Sequence, residues 1–211
     1  MPLEMSNKGL FITGIGTDVG KTVAAAVITK ALEADYWKPA QCGELDNSDS
    51  IKIARLTGLK TLPEAYRLQA PMSPHAAADL EGVELSIDKI ELPKTDKTIV
   101  VEGAGGVMVP FNSKETYLNL MVKFNLPVVL VTQHYLGSIN HTMLSWRVLK
   151  DAGLNVAALV ISGKAHESTE SYFATQMDVP FIRIRELGGL SSETIAVEAE
   201  RLKSSIKALM A

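Results

Sequence analysis

One glycine-rich segment near the start of the chain restricts the possible folds more than any other feature. Residues 14–22 read Gly-Ile-Gly-Thr-Asp-Val-Gly-Lys-Thr, and they follow the apolar run at 10–12. A turn of this kind between a strand and a helix wraps phosphate in backbone N–H groups at the helix N-terminus. Five residues separate Gly14 from Gly20, where the usual phosphate-binding loop has about four. The segment therefore predicts a nucleotide-binding α/β fold.

The last two residues of this segment have distinct expected roles. Lys21 is placed to reach the β- and γ-phosphates of a nucleotide, and the Thr22 hydroxyl is placed to ligate Mg²⁺. The competing interpretation is a glycine-rich turn that precedes a helix by chance. The Lys-Thr pair directly before a helical pattern favours the phosphate-binding interpretation.

Short β-rich runs alternate with helical stretches along the chain, a pattern typical of a parallel α/β sheet. The runs at 99–101 and 128–131 are apolar on both faces, as expected for central strands covered by helices on each side. We predict strands at 9–13, 36–38, 98–102, 127–132, 155–161 and 180–184. We predict helices at 22–33, 49–56, 117–124, 138–152, 168–176 and 191–209.

These elements predict one domain over residues 1–211, a three-layer P-loop NTPase fold with a central, mostly parallel sheet. Residues 59–93 are the least regular part of the chain and contain prolines at 63, 71, 74 and 93. We interpret this stretch as an excursion over the strand ends, where α/β proteins bind their ligands.

Composition and charge exclude several classes of function. The chain has 211 residues, of which 46% are hydrophobic, so it can bury a core. The formal net charge is −3 and there is no long run of Lys or Arg, which argues against a nucleic-acid or anionic-membrane partner. Cys42 is the single cysteine, which rules out an internal disulfide. No segment approaches the roughly 18 apolar residues of a membrane span, so we expect a cytoplasmic protein.

Two further positions suggest chemistry on physical grounds. Lys38 ends a predicted strand and precedes a proline, so its ammonium should project at the carboxyl edge of the sheet, near the glycine-rich loop. Glu102 ends a buried strand, where a carboxylate is costly unless a cation or hydrogen-bond donors compensate it. The alternative for Lys38 is a solvated strand-end lysine.

The lengthened loop resembles that of the dethiobiotin synthetase family, which lies within a wider group of amidotransferase-like and partition-type P-loop ATPases. Further segments follow in the family's order over roughly residues 9–162. They are Trp37-Lys38-Pro39-Ala40-Gln41-Cys42-Gly43, Asn47-Ser48-Asp49-Ser50, Met72-Ser73-Pro74-His75, Val101-Glu102-Gly103-Ala104-Gly105-Gly106 and Leu136-Gly137-Ser138-Ile139-Asn140-His141.

The resemblance implies an enzyme that uses Mg-ATP and carbon dioxide to close a urea ring on diaminopelargonate. It also implies a homodimer in which the helix beginning near Ser138 grips the substrate carboxylate of the neighbouring subunit's site. On physical grounds alone, Ser138 is equally explained as a helix N-cap, and Asp49 as a cap or a charge complementing a helix dipole.

Site residues carry over from the family position by position. The resemblance implies catalytic roles for Lys38, Lys21 and Thr17, and Mg²⁺ ligation by Thr22, Asp49 and Glu102. It implies nucleotide contacts at Gly16, Thr17, Asp18, Val19, Gly20, Lys21, Thr22, Val23, Glu102 and Gly105. It implies substrate contacts at Lys38, Cys42, Gly105, Gly106, Val107, Ser138, Ile139 and Asn140.

The sequence departs from the family pattern at three places. Asp18 replaces a frequent Glu, and Cys42 stands where a Ser is common. Ser162-Gly163 stands where the family commonly has an Asn that contacts the nucleotide base.

Three alternatives to a biosynthetic enzyme remain. A partition-type ATPase switch usually carries an extra lysine early in the loop, where this chain has Ile15-Gly16-Thr17. A cobyrinate-type amide synthase carries a glutaminase region, for which we find no sequence signal. A non-catalytic nucleotide-binding subunit would release no ADP when diaminopelargonate and bicarbonate are added.

Overall fold

The centre of the molecule is a strand that is buried along its whole length. A computed structural model describes residues 8–210, and in it β1 spans Gly9–Gly14 with every residue buried. β1 pairs in parallel with β6 (Ile99–Gly106) on one side and β7 (Val128–Gln133) on the other. Because its apolar residues face both ways, β1 needs cover on each face. It therefore fixes the middle layer of the fold.

Four further strands complete the main sheet, namely β2 (Asp35–Trp37), β4 (Thr61–Leu62), β8 (Val156–Ser162) and β9 (Phe181–Ile184). The seven strands are parallel and lie in the order β4-β2-β6-β1-β7-β8-β9. A separate two-stranded parallel sheet consists of β3 (Ala40–Cys42) and β5 (Tyr66–Leu68). All strands of the main sheet present their carboxyl ends at the same edge, which is where ligands bind in such sheets.

Helices flank the main sheet. They are α1 (Lys21–Leu32), α2 (Asp49–Thr57), α3 (Pro74–Glu81), α4 (Tyr117–Phe124), α5 (Ser138–Asp151), α6 (Glu167–Gln176) and α7 (Ser192–Ala208). α1 packs against α2 and α7, and its central residues are small or β-branched, which allows close approach to the sheet. The Phe124 ring of α4 packs 6.5 Å from Phe11 and 5.8 Å from Trp37.

The fold confirms the α/β class and the parallel sheet, and all six predicted strands and all six predicted helices are present. The helix at 117–124 has the predicted bounds, and the other elements have ends shifted by a few residues. Two predictions were wrong in detail. The strand predicted to end at Glu102 continues to Gly106, because Gly106 still pairs with Gly14 of β1 and with Ile15. Residues 59–93 are not merely an irregular excursion, since they contain β4, β5 and α3.

The predicted domain limits of 1 and 211 lie outside the described residues. Within residues 8–210, no helix has both the length and the apolar character that a membrane crossing requires.

Candidate functional site

The glycine-rich loop joins β1 to α1, as the sequence predicts. Gly20 is the residue before α1 and has a φ of 89°, a left-handed conformation that favours glycine. A Cβ at this position would lie 2.5 Å from Ser162 Oγ, so the loop and the end of β8 meet too closely for any side chain. The loop therefore requires glycine here, and it leaves the first N–H groups of α1 available for an anion.

Lys21 is buried at the start of α1. Its Nζ donates a hydrogen bond of 2.6 Å to the carbonyl of Gly16, which folds the side chain back across the loop. Burial lowers the pKa of the Lys21 ammonium, because desolvation outweighs the attraction of Glu102. An anion that accepts a hydrogen bond from this ammonium would compensate that desolvation.

Lys38 directly follows β2 and meets two carboxylates from different elements. Its Nζ lies 2.6 Å from Asp49 Oδ2, at the start of α2, and 3.7 Å from Glu102 Oε1, in β6. Lys38 and Glu102 are buried, and Asp49 is partly buried. The interpretation of Lys38 as a solvated strand-end lysine is therefore wrong.

Burial and neighbouring charges shift the pKa values of Glu102, Asp49 and Lys38 in different directions. The pKa of the Glu102 carboxyl is raised, because burial acts against its charge more strongly than Lys38 favours it. Burial also opposes the charges of Asp49 and Lys38. For Asp49, Lys38 together with Lys52 and the Thr22 hydroxyl outweighs burial and lowers the pKa. For Lys38 the two carboxylates together outweigh burial and raise the pKa.

Thr22 brings the glycine-rich loop into the same cluster. Its hydroxyl lies 3.0 Å from Glu102 Oε1 and 3.4 Å from Asp49 Oδ1. Two oxygens that share an octahedral Mg²⁺ at about 2.1 Å lie about 3 Å apart, so these separations suit adjacent Mg²⁺ ligands. Within residues 8–210 no three His, Cys, Asp or Glu residues form a metal cluster. The three oxygens fit a cation such as Mg²⁺, which is commonly bound by one or two carboxylates together with waters and substrate phosphates.

Two residues of this cluster escaped the sequence analysis. The Tyr36 hydroxyl donates a 2.9 Å hydrogen bond to Glu102 Oε2, and the Gln41 side chain accepts a 3.2 Å bond from the backbone N–H of Asp49. Tyr36 lies two positions before Lys38. Alternate strand residues share a face, so this spacing could have indicated Tyr36. Gln41 lies in β3, a strand too short to produce a periodic pattern.

Asp49 begins α2 but does not cap it. Ser48 is the N-cap residue, and its side chain accepts a hydrogen bond from the N–H of Ile51. The Asp49 carboxylate instead bonds to Lys38 and Thr22. The capping interpretation of Asp49 is therefore wrong, although its charge still suits the helix N-terminus.

A cavity of about 630 Å³ opens beside this cluster. Predicted site residues on its wall are Thr17, Asp18, Gly20, Lys21, Thr22, Val23, Lys38, Cys42, Asp49, Glu102 and Gly105. Residues 71–74 also line it, which agrees with an excursion of this stretch over the strand ends. The pKa of the Cys42 thiol is raised to about 11 by burial, so the thiol is protonated at neutral pH.

A second cavity of about 420 Å³ adjoins the other side of the loop. Its lining includes Gly16 and Thr17 of the loop, Gly106 at the end of β6, the following Val107, and Leu144 of α5. Thr17 therefore faces both cavities. Val19, by contrast, is buried, so only its backbone N–H could serve a nucleotide.

The start of α5 lies apart from the first cavity. Ser138 is buried, and its hydroxyl accepts a 3.3 Å hydrogen bond from the N–H of Tyr135. Gly137, with a φ of 98°, occupies the N-cap position without a side-chain cap, so the prediction of Ser138 as N-cap is wrong. Ile139 and Asn140 are exposed at the molecular surface. None of the residues Ser138, Ile139 and Asn140 lines the first cavity.

The parallel sheet and the loop between β1 and α1 define a P-loop nucleotide-binding protein. The chain resembles a Borrelia burgdorferi structure described as a plasmid partition protein bound to AMPPNP, with a TM-score of 0.57, 12% identity and coverage of 96% of this chain and 97% of that chain. It also resembles an Aquifex aeolicus MinC:MinD cell division complex, with a TM-score of 0.52, 14% identity and coverage of 93% and 96%. At such low identity these likenesses show the fold alone.

Sequence relatives identify the family. Residues 8–194 match a family described as an AAA domain. The chain is 52% identical to the ATP-dependent dethiobiotin synthetase BioD of Christiangramia forsetii over 78% of this chain and 80% of that protein. It is 39% identical to the BioD of Rhodopseudomonas palustris (strain HaA2) over 94% of this chain and 92% of that protein. The chain therefore belongs to the dethiobiotin synthetase family and is a ligase. These relatives do not favour the alternative of a partition-type ATPase.

Proposed function

We propose that this enzyme closes a ureido ring on 7,8-diaminopelargonic acid with carbon dioxide and ATP, giving dethiobiotin, ADP and phosphate in biotin biosynthesis. The observation that carries the proposal is the convergence of Lys38 and Glu102 on the cavity that the P-loop residues Lys21 and Thr22 line. Relatives named as ATP-dependent dethiobiotin synthetases support the use of ATP. We also propose a cytoplasmic location.

The first step is capture of carbon dioxide by one substrate amine, which forms an N–C bond and loses a proton to give a carbamate. A carbamate is an anion, and the Lys38 ammonium is the cation that we assign to it. The pKa of Lys38 is raised by Glu102 and Asp49 in spite of burial, which keeps the ammonium charged. A preorganised charge in a site of low dielectric stabilises an anion far more than it would in water.

The second step transfers the γ-phosphoryl group of ATP to a carbamate oxygen, which gives a carbamic-phosphoric anhydride and ADP. We assign Lys21, Thr17 and the N–H groups of residues 16–23 to the nucleotide phosphates. The second substrate amine then attacks the carbonyl carbon, the C–O bond to phosphate breaks, and the five-membered urea closes with loss of a proton. The protein supplies position and charge, and it forms no covalent bond to the substrate.

Magnesium is the cation that we assign to Thr22, Asp49 and Glu102. When bound, it supplies charge neutralisation to the transferring phosphoryl group. The raised pKa of Glu102 agrees with a carboxylate whose charge is incompletely compensated by the protein's own cations.

We further propose a homodimer whose partner completes the substrate site. Several large apolar residues are exposed near the second cavity and the start of α5, namely Met108, Leu136, Ile139 and Leu144. Exposed apolar patches of this kind mark interaction surfaces. Ser138, Ile139 and Asn140 would then serve the substrate of the neighbouring subunit, which agrees with their separation from the first cavity.

The decisive test is mass detection of dethiobiotin from diaminopelargonate, bicarbonate, Mg²⁺ and ATP. We expect one ADP for each dethiobiotin and no product when any component is omitted. ADP release without dethiobiotin would reduce the assignment to an ATPase of another function, and the absence of both products would refute it.

A further inference from the structure

A third lysine, Lys52, lies on the wall of the first cavity. It is one helical turn after Asp49 on α2, and its Nζ lies 3.8 Å from Asp49 Oδ1. Its main partner is Glu44, whose Oε2 lies 2.6 Å away and which lines the same cavity. Neither residue belongs to the set that the sequence analysis assigned to the site.

The backbone around Glu44 fixes one side of this ion pair. Gly43 and Glu44 have φ values of 72° and 51°, both in the left-handed region. A Cβ on Gly43 would lie 2.6 Å from Pro71 Cβ, so the chain passes Pro71 closely at this point. A non-glycine residue adopts this conformation only where its surroundings hold it. Glu44 is therefore held at the rim of the cavity.

The ion pair of Lys52 and Glu44 is more exposed to water than the ion pair of Lys38 and Asp49, so another anion can replace Glu44 more easily. The Glu44 side chain is 63% exposed and the Lys52 side chain is 26% exposed, whereas the Lys38 side chain is 6% exposed. An ion pair in contact with water contributes only about 0–1 kcal/mol. A phosphate group offers several charged oxygens and would readily replace a single exposed carboxylate as the partner of Lys52.

The charges around the cavity favour replacement of the Glu44 carboxylate by a phosphate. The residues on its wall whose side chains are ordinarily charged comprise three lysines and four acids, namely Lys21, Lys38, Lys52, Asp18, Glu44, Asp49 and Glu102. A nucleoside triphosphate brings further negative charge into a site where acidic side chains already outnumber lysines. Lys21 and Lys38 are buried, and Lys38 is held by Asp49 and Glu102, so Lys52 is the most exposed of the three lysines.

We propose that Lys52 binds the terminal phosphate of the nucleotide, and that Glu44 holds its ammonium at the cavity rim until the phosphate replaces the Glu44 carboxylate. This inference rests on the proposed function, because it requires a nucleotide at the P-loop. It makes Lys52 a residue that distinguishes triphosphate from diphosphate, and it makes Glu44 a competitor of the phosphate.

The test measures dissociation constants by calorimetry for Mg²⁺ with AMPPNP and for Mg²⁺ with ADP. We expect Lys52→Gln to weaken AMPPNP binding roughly tenfold, the loss of one charge-assisted hydrogen bond, and to change ADP binding by about twofold or less. Glu44→Gln should tighten AMPPNP binding roughly threefold, because it releases the lysine from its competitor. The double variant should have the same dissociation constants as Lys52→Gln, because Glu44 competes with the phosphate only when Lys52 is present.

The matched control is Lys203→Gln. Lys203 is another partly exposed helix lysine, it pairs with Glu200 at 3.0 Å, and it lies on α7 away from this cavity. It should leave both dissociation constants unchanged. Equal weakening of ADP and AMPPNP by Lys52→Gln would show that Lys52 only supports Asp49, and wild-type binding by that variant would also overturn the inference. If the wild type itself failed to bind AMPPNP, the proposed function would fail as well.

Discussion

Two buried glutamates in this protein lie beside cations and nevertheless differ in the pKa of their carboxyl groups. Glu102, in the site, has a carboxyl with a raised pKa, because burial outweighs the charge of Lys38. Glu198, on α7, has a carboxyl whose pKa is lowered to about 2 by the guanidinium of Arg201 and by the backbone and side chain of Arg185. Burial alone therefore does not determine the pKa of a carboxyl group.

The difference lies in what donates to each carboxylate. Glu198 accepts hydrogen bonds of 2.5–3.1 Å from both arginines and from the N–H of Arg185. Glu102 accepts from two hydroxyls, those of Thr22 and Tyr36, while Lys38 stays 3.7 Å away. Charged donors compensate a buried carboxylate more fully than hydroxyls do. The charge of Glu198 is therefore compensated by groups of the protein, whereas the charge of Glu102 is compensated incompletely.

The largest expected effect is at the site. Lys38→Ala and Lys21→Ala should each lower turnover at least ~100-fold, because each removes one preorganised charge from the reacting groups. Both variants should stay folded by circular dichroism and should sediment as the wild type does. The measurement is the rate of dethiobiotin formation, with Lys203→Ala as the control. Wild-type turnover by Lys38→Ala would remove Lys38 from the site and undo the comparison.

The second effect is on stability, where substitution of Glu198 should matter more than substitution of Glu102. Glu198→Gln should lower the free energy of unfolding by about 2 kcal/mol, because it leaves two guanidiniums without their carboxylate, although both are partly exposed. Glu102→Gln should change stability by about 1 kcal/mol or less, because Lys38 keeps Asp49 as its partner. Urea unfolding of both variants measures the contrast. Equal destabilisation would mean that Glu102 is as structural as Glu198.

Some of the elements and residues behind this difference could be predicted from the sequence, and others could not. The loop at 14–22 and the apolar strands are local patterns, so the sheet, α1 and the positions of Lys21 and Thr22 were predictable. The burial of its strand indicated Glu102, and the resemblance to a family supplied Asp49 and the Mg²⁺ role of both residues. Hydroxyl donation from Tyr36 to Glu102 joins residues far apart in the sequence, and only the pairing of β2 with β6 brings them together.

The same reasoning explains what was missed. β3, β4 and β5 have only two or three residues each, which is too short for an alternating pattern to emerge. The partners of Glu198 come from a loop and from its own helix, and nothing in the spacing of Arg185 and Arg201 indicates a shared carboxylate. Long-range polar contacts depend on the register of the finished fold.

The third effect is the contribution of Glu198 to the pH dependence of stability. Its pKa in the folded protein, about 2, lies below its ordinary value of 4.5, so its stabilising contribution is present above about pH 4.5 and is lost as the pH falls toward 2. Between pH 5 and 3.5 the wild type should lose about 1 kcal/mol more stability than Glu198→Gln. Urea unfolding of the two proteins at both pH values measures the difference. Identical slopes would contradict the assignment of the low pKa to Glu198.

The smallest effect concerns Cys42, which shares the cavity with Lys38 but stays uncharged. Its pKa is raised to about 11, because burial outweighs the attraction of Lys38, so the thiol carries no charge that the site could use at neutral pH. Cys42→Ser should therefore change turnover by about twofold or less, since it exchanges one small neutral group for another. Alkylation of the wild type by iodoacetamide should be slow at pH 7 and should accelerate as the pH rises toward 11. Fast alkylation at pH 7 would mean that Lys38 stabilises a thiolate at Cys42. The Lys38 ammonium would then have a third anionic partner besides Asp49 and Glu102.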